Sequence, residues 1–429
     1  MGSRVGILLT NPPRHSKALR ELIPLYTSLA AGFCLSFVCS TIGQDSQSPR
    51  QHAREELLNQ STAYQEPATS TSDKSNPAEK SQDTGTKKPD EKEEHQGGAF
   101  VVAPLPIVSP AIGSGIVPVL AYIFPLQIKG KSSPPSVIAA TGLITNNGSR
   151  AFGFGADLYL KQARYELKAG YGRGNLDYDL YGPGFINGNL GLKLPLVQTG
   201  EVFFIKLLRN VGWSIYVGPR FFAGDSFITL NPRNGNLPPI PPDVGFSTNL
   251  RSLGFEVSRD SRKNRFYPVQ GSVLDFTADF FANTIGSKYS FQPYRFTFNK
   301  YAAIGAKQVL AYNLYLCGTG GKPPFYGNCI YGTDNELRGY TAGRYLDRYM
   351  VATQLEYRLT LPWRFGLVGF VGVGGVAPGA DSFRSRQLLP AGGTGIRFLL
   401  NKKYHVNLRT DFAWGKDNFT WSMGVGEAF

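Results

Sequence analysis

Beyond residue 41 the chain lacks any run approaching about 18 consecutive apolar residues, so no transmembrane helix is expected in the mature protein. Histidine is scarce. Of four, His15 lies in a leader, His52 and His95 lie in a polar stretch, and only His405 falls in the strand-rich region, on what reads as a strand's polar face. No Gly-x-Ser-x-Gly elbow and no His-x-x-x-His spacing accompany it, so nothing marks a nucleophile–base pair or a metal centre. The glycines punctuate strand-like runs and precede no helix, which removes a phosphate-binding loop. Charged residues make up only 18% of the chain, and the basic ones are dispersed without a recognition motif, which disfavours nucleic acid. No enzyme activity, cofactor or metal is expected.

What remains is rich in glycine (50), phenylalanine (29) and tyrosine (22). Three segments differ in composition. Residues 1–43 read as an export signal, with Arg4, Arg14, Lys17 and Arg20 ahead of an apolar stretch from Leu22 to Val38. Residues 44–97 are polar, with only Leu57, Leu58 and Tyr64 able to seed a core, and read as a disordered periplasmic linker open to a periplasmic partner. Residues 98–429 hold the excess of positive charge in a chain of net +14. That charge suits either loops and strand ends facing anionic lipid head groups or a lumen that attracts anions.

Alternation fixes the fold class. From Val351 to Leu361 the odd positions are Val, Thr, Leu, Tyr, Leu and Leu, whereas the even ones include Gln354, Glu356, Arg358 and Thr360. Tyr404 to Trp414 and Phe419 to Val425 repeat the pattern. So many two-faced strands suit a lipid-facing exterior better than a soluble core. Runs recurring about every 20 residues give about 16 strands, an all-β transmembrane antiparallel barrel in contact with outer-membrane lipids. Asn146-Asn147-Gly148 and Lys416-Asp417-Asn418 suit tight hairpins, Leu400 to Lys403 suits a short periplasmic turn, and 231–245 and 318–335 suit long extracellular loops. The terminal Phe429 is the aromatic end expected of a barrel delivered to outer-membrane assembly machinery.

Between two such strands stands Leu337-Arg338-Gly339-Tyr340, followed by Gly343-Arg344-Tyr345. An arginine there needs a lumenal partner, and Glu356 on the polar face of the next strand offers one. Cys317 and Cys329 precede the motif on the same loop. An exported protein meets an oxidising compartment, so a disulfide is expected, with two free thiols as the alternative.

Several blocks together resemble the BamA/TamA-type bacterial surface antigen superfamily. Ser258 to Gly271, which includes Asp260, Arg262 and Arg265, is similar to that family's turn between central strands. Residues 337–348 resemble its inward-folded sixth extracellular loop, Gln354 to Arg358 the strand that follows, and Gly426 to Phe429 its C-terminus. The resemblance implies an Arg338–Glu356 pair inside the lumen, and Asp260, Arg262 and Arg265 tying a periplasmic turn. Two departures stand out. Gly372 occupies a position where the family often has Asp, which implies a more loosely held loop. Residues 44–97 are too short and polar for a POTRA domain, which implies a barrel-only branch. Translocation or pore formation in envelope biogenesis is the expected function. The alternatives are a partner-dependent insertase and an adhesive surface protein.

Overall fold

The computed structural model describes residues 98–109, 112–126, 134–181, 184–190, 193–231, 245–332, 336–416 and 418–429. The expected signal, the linker and most of the 231–245 loop lie outside these residues. Sixteen strands form one antiparallel sheet in which chain neighbours are sheet neighbours. They are β1 (Ala99–Ser109), β2 (Gly113–Pro125), β3 (Pro135–Thr145), β4 (Arg150–Leu160), β5 (Tyr165–Tyr181), β6 (Lys193–Gly212), β7 (Ile215–Leu230) and β8 (Gly245–Asp260). Next come β9 (Gly271–Phe281), β10 (Phe291–Ala303) and β11 (Gln308–Gly321). After the 322–348 loop follow β14 (Tyr349–Thr360), β15 (Phe365–Ala377), β16 (Leu389–Asn401), β17 (Val406–Gly415) and β18 (Asn418–Val425). Two three-residue strands, β12 (Cys329–Tyr331) and β13 (Tyr345–Asp347), pair with each other inside that loop.

Burial along β14 is inverted relative to a soluble protein. Gln354, Glu356 and Arg358 are 0–1% exposed, whereas Val351, Leu355 and Tyr357 are 36–42% exposed. Phe152 and Phe154 on β4, Leu253 and Phe255 on β8 and Val371 on β15 also face outward. An apolar exterior around a polar interior needs lipid as its solvent. The expected 16-stranded transmembrane barrel is therefore what the chain forms.

Short turns at 161–164, 213–214, 304–307, 361–364 and 402–405 crowd one rim, which marks it as periplasmic. Their geometry is unusual. Trp213 and Ser214 both have positive φ (50° and 61°), as a two-residue turn of the type usually built from Asn-Gly requires. Trp363 (φ 72°) and His405 (φ 55°) share the left-handed conformation. His405 thus belongs to a turn and not to a strand face: a register shift between Leu399 and Asn401 delays β17 to Val406.

Closure is incomplete where the sheet's ends meet. β1 and β18 lie side by side, yet no ladder joins them among the described residues. Part of the reason is covalent. Pro104 on β1 stands opposite Pro118 on β2. The β2–β3 register skips Val117 and Pro118, so the Pro118 nitrogen faces β3. Opposed residues in an antiparallel pair both turn toward or both turn away from each other. Hence Pro104, and Pro106 two residues on, direct their nitrogens at β18 and give it no N–H.

A lumenal arginine at the centre of a buried ion network

The 322–348 loop folds into the barrel and is fastened at three levels. At its base Cys317 on β11 is bonded to Cys329 on β12, with Cα atoms 5.9 Å apart, so the expected disulfide forms. In its middle Tyr331, Tyr340 and Tyr345 meet edge to face at 5.4–6.4 Å. The Tyr331 hydroxyl donates to the Leu389 carbonyl at 2.8 Å, and that of Tyr340 to the Pro390 carbonyl at 2.6 Å. At the tip Gly339 has φ +109°, and a Cβ there would lie 3.0 Å from Ala391 Cβ. A Cβ on Gly415 would lie 2.6 Å from the Gly339 oxygen. Two glycines thus let the loop backbone approach β16 and β17 closely.

Arg338 is 2% exposed and reaches three walls at once. Its Nη2 pairs with Glu356 on β14, and its Nη1 donates to Asp411 Oδ2 on β17 at 3.0 Å. Its Nε donates to Gln354 Oε1 at 3.3 Å, and its guanidinium lies 3.6 Å from the centroid of Phe370 on β15. Leu337 fills the space that a side chain on Gly372 would occupy. The looser loop expected from Gly372 is therefore corrected. The second carboxylate comes from Asp411, two strands further round the wall, and the missing side chain makes room for the loop.

The network continues past the tip. Glu356 Oε1 accepts from Arg358 Nε at 2.6 Å, and Asp411 Oδ1 accepts from Arg397 Nη1 at 2.6 Å. Arg409 Nη1 adds a contact to Asp411 Oδ2 at 3.1 Å. Arg397 Nε donates to Glu427 Oε2 at 2.7 Å, and Asn407 to Glu427 Oε1 at 2.8 Å. Arg358 Nη2 donates to the Phe429 carbonyl oxygen at 2.9 Å. Each buried ion costs several kcal/mol to desolvate, so these charges persist only as a mutually satisfied set. Sequence reasoning found Arg338 and Glu356 and placed Arg358, Arg409 and Asp411 on polar faces. It did not join these to Arg338, and it missed Arg397 and Glu427.

The chain's end runs inward. Gly426, with φ +87°, leaves β18, and its N–H donates to the Asn407 carbonyl at 2.7 Å. Ala428 and Phe429 then pack against Val273, Tyr301 and Ala311 on the inner faces of β9–β11. Phe429 is therefore a lumenal residue in the folded barrel, 4% exposed and away from lipid.

The 261–270 turn reaches across the same mouth. Asp260 Oδ2 takes Arg262 Nη2 at 2.8 Å and Arg265 Nε at 2.7 Å, and Arg265 lies over the Tyr159 ring on β4. Phe266 is buried against Val101, Ala121 and Val137 of β1–β3. Tyr267 stacks on His405 at 4.3 Å, and its hydroxyl shares a 3.0 Å hydrogen bond with Thr360. The trio expected to tie a turn thus anchors a floor. Burial lowers the His405 pKa from its ordinary value, so its ring is neutral beside Tyr267 near pH 7.

Arg344 lies outside the network. Its Nε donates to the Gly188 carbonyl at 3.1 Å in α1 (Phe185–Leu190), and the Tyr345 hydroxyl donates to Asn189 Oδ1 at 2.9 Å. On the opposite wall Lys168 pairs with Asp157 at 3.0 Å, Lys206 with Glu256 at 2.5 Å and Arg220 with Asp279 at 3.0 Å. Toward the extracellular end Leu105, Leu180, Ile228, Phe281, Phe291 and Leu346 form an apolar layer. The described lumen is thus a paired-charge zone beneath a dry one, which removes much of the free positive field that a basic lumen would supply.

Residues 160–429 match the family model of the Omp85 superfamily domain. No curated protein sequence matches the chain. CdiB from Escherichia coli has a similar fold, with a TM-score of 0.51 at 11% identity, covering 76% of this chain and 62% of that one. CdiB from Acinetobacter baumannii gives 0.47 at 13%, covering 76% and 59%. BamA from Haemophilus ducreyi lacking POTRA domains 1–3 gives 0.49 at 13%, covering 77% and 69%. The chain thus spans about three fifths of the length of the two CdiB chains. With well over half of its residues inside the family model, and with a lipid-facing barrel, the chain belongs to the Omp85 superfamily of the bacterial outer membrane.

Proposed function

We propose that this barrel translocates a substrate across the outer membrane, with the 322–348 loop as its gate. The supporting observation is Arg338, which draws the loop tip, three wall strands and, through Arg358 and Arg397, the inward-turned tail into one ion network. Opening the lumen then requires the loop to leave Glu356 and Asp411 together. A substrate or partner that offers its own carboxylates to Arg338 would lower that cost. Residues 44–97 are the natural place for a periplasmic partner to bind.

The unladdered seam supports a second reading, insertion of other barrels by strand pairing at β1. Pro104 and Pro106 weigh against it, because a template edge without two of its donors pairs poorly. Cells lacking the protein separate the two. Translocation is supported if surface or secreted proteins fail to appear while other barrels assemble at normal levels. The reverse pattern supports insertion, and normal export together with normal assembly contradicts both.

A further inference from the structure

Two arginines of the lumenal network each keep one guanidinium nitrogen without a partner among the described residues, Nη1 of Arg358 and Nη2 of Arg397. Both side chains are buried, 1% and 3% exposed. An unpaired buried donor has lost its water without replacement, at a cost that is greater when it is charged. Two such donors on neighbouring side chains call for an acceptor.

Both arginines line one cavity of about 40 Å³ at the periplasmic rim, between β14, β15, β16 and the start of β17. Tyr267, Thr360, His405 and Asn407 supply its other polar walls. No carboxylate lines it, because Glu356, Asp411 and Glu427 engage the guanidinium groups at other nitrogens. Gly366 also lines it, and a Cβ there would crowd the wall, 3.2 Å from the Leu359 oxygen and 3.3 Å from Arg397 Cβ. Arg364 joins the lining from the turn at 361–364. Two arginine side chains and hydroxyl and amide groups able to donate line the site, so a multiple acceptor satisfies it better than water does.

We propose that this cavity is a binding site for a phosphate oxyanion, either free or carried on a lipid head group. Guanidinium groups match tetrahedral phosphate by paired N–H donors. The mouth suits a lipid source, because the lining runs out to Trp363, which is 94% exposed at the rim where tryptophan marks the lipid–water boundary. An oxyanion held there brings the free donors of Arg358 and Arg397 into use and so stabilises the closed network. This inference is independent of whether the barrel translocates or inserts.

The test is thermal unfolding of the full chain, folded in zwitterionic detergent, at fixed ionic strength. Sodium phosphate is titrated against sodium chloride, and dihexanoyl phosphatidic acid against dihexanoyl phosphatidylcholine. A saturable rise in the midpoint on the order of 2 °C is expected with a phosphate-bearing probe. A response to both probes means that the site reads the phosphate group itself. A response to phosphatidic acid alone identifies the lipid source, and a response to inorganic phosphate alone identifies the free ion. Gly366→Ala presses a methyl group against Arg397 at the cavity wall, and Tyr267→Phe removes a hydroxyl from the lining. Each is expected to need at least tenfold more ligand while keeping the folded electrophoretic mobility of the barrel. No saturable rise with either probe, or an unchanged titration in both variants, overturns the proposal.

Discussion

Arg338 sets the energetics at the residue scale. Replacing it with Ala takes one guanidinium partner each from Glu356 and Asp411, in a lumen where both are at most 1% exposed. The expected cost is about 3–5 kcal/mol, the range for removing one partner of a buried ion pair. Protease sensitivity of the 322–348 loop should rise before the barrel itself unfolds, and an unchanged digestion pattern would count against the ion pair. Arg338→Lys should recover little of the loss, since one ammonium cannot reach Glu356, Asp411 and Gln354 together. Gly372→Asp, which installs the residue common in the family, should destabilise by about 1–3 kcal/mol through overpacking against Leu337, measured as a lower unfolding midpoint. The Arg338–Glu356 pair was legible because Glu356 lies on the polar face of the next long strand, 18 residues beyond Arg338. Asp411 was not, because its position beside Arg338 depends on how the wall curves between β14 and β17. Alternation along a single strand carries no record of that curvature.

Two inward-folding elements matter at the next scale. The extracellular loop is held at its base by Cys317–Cys329, and closing so short a covalent loop contributes on the order of 3 kcal/mol. Reduction, or Cys329→Ser, should loosen the loop to protease while the barrel keeps its folded electrophoretic mobility. Loss of the folded form would mean that the disulfide supports the wall as well. The 261–270 turn is held by Phe266 against β1–β3 and by Tyr267 against His405. Sequence alternation revealed the strands well, since side chains in a β-strand change face at every residue. It was poorer at strand ends. His405 read as a strand residue because the shift between Leu399 and Asn401 leaves no compositional mark. Gly426 read as the first residue of the C-terminal block, and nothing in the sequence marked the positive φ that turns the tail into the lumen.

For the whole molecule, the sheet is strongest in its tall central wall, where β6 runs for 20 residues, and weakest beside β18, which has 8. The last strand falls just short of the roughly 9–11 residues that span a bilayer. Pro104→Val combined with Pro106→Thr should add two edge donors facing β18. Amide exchange in β1 and β18 should then slow by about tenfold, as expected for one or two added hydrogen bonds. Exchange as fast as in the natural chain would mean that the prolines do not limit the seam. The strand count and the lipid-facing exterior were both legible, because period-two patterning repeats along most of residues 98–429. The inward-turned tail and the crossing turn were not, because each depends on contacts between distant parts of the chain. These two features, with the loop and the apolar layer, occupy much of the described lumen, which under the proposed function Arg338 holds shut. Planar-bilayer conductance of the full chain, natural against Arg338→Ala, tests this most directly. Rare or small openings that become larger or more frequent in the variant are expected, whereas a variant that folds as a barrel and conducts no differently would contradict a lumen gated by Arg338.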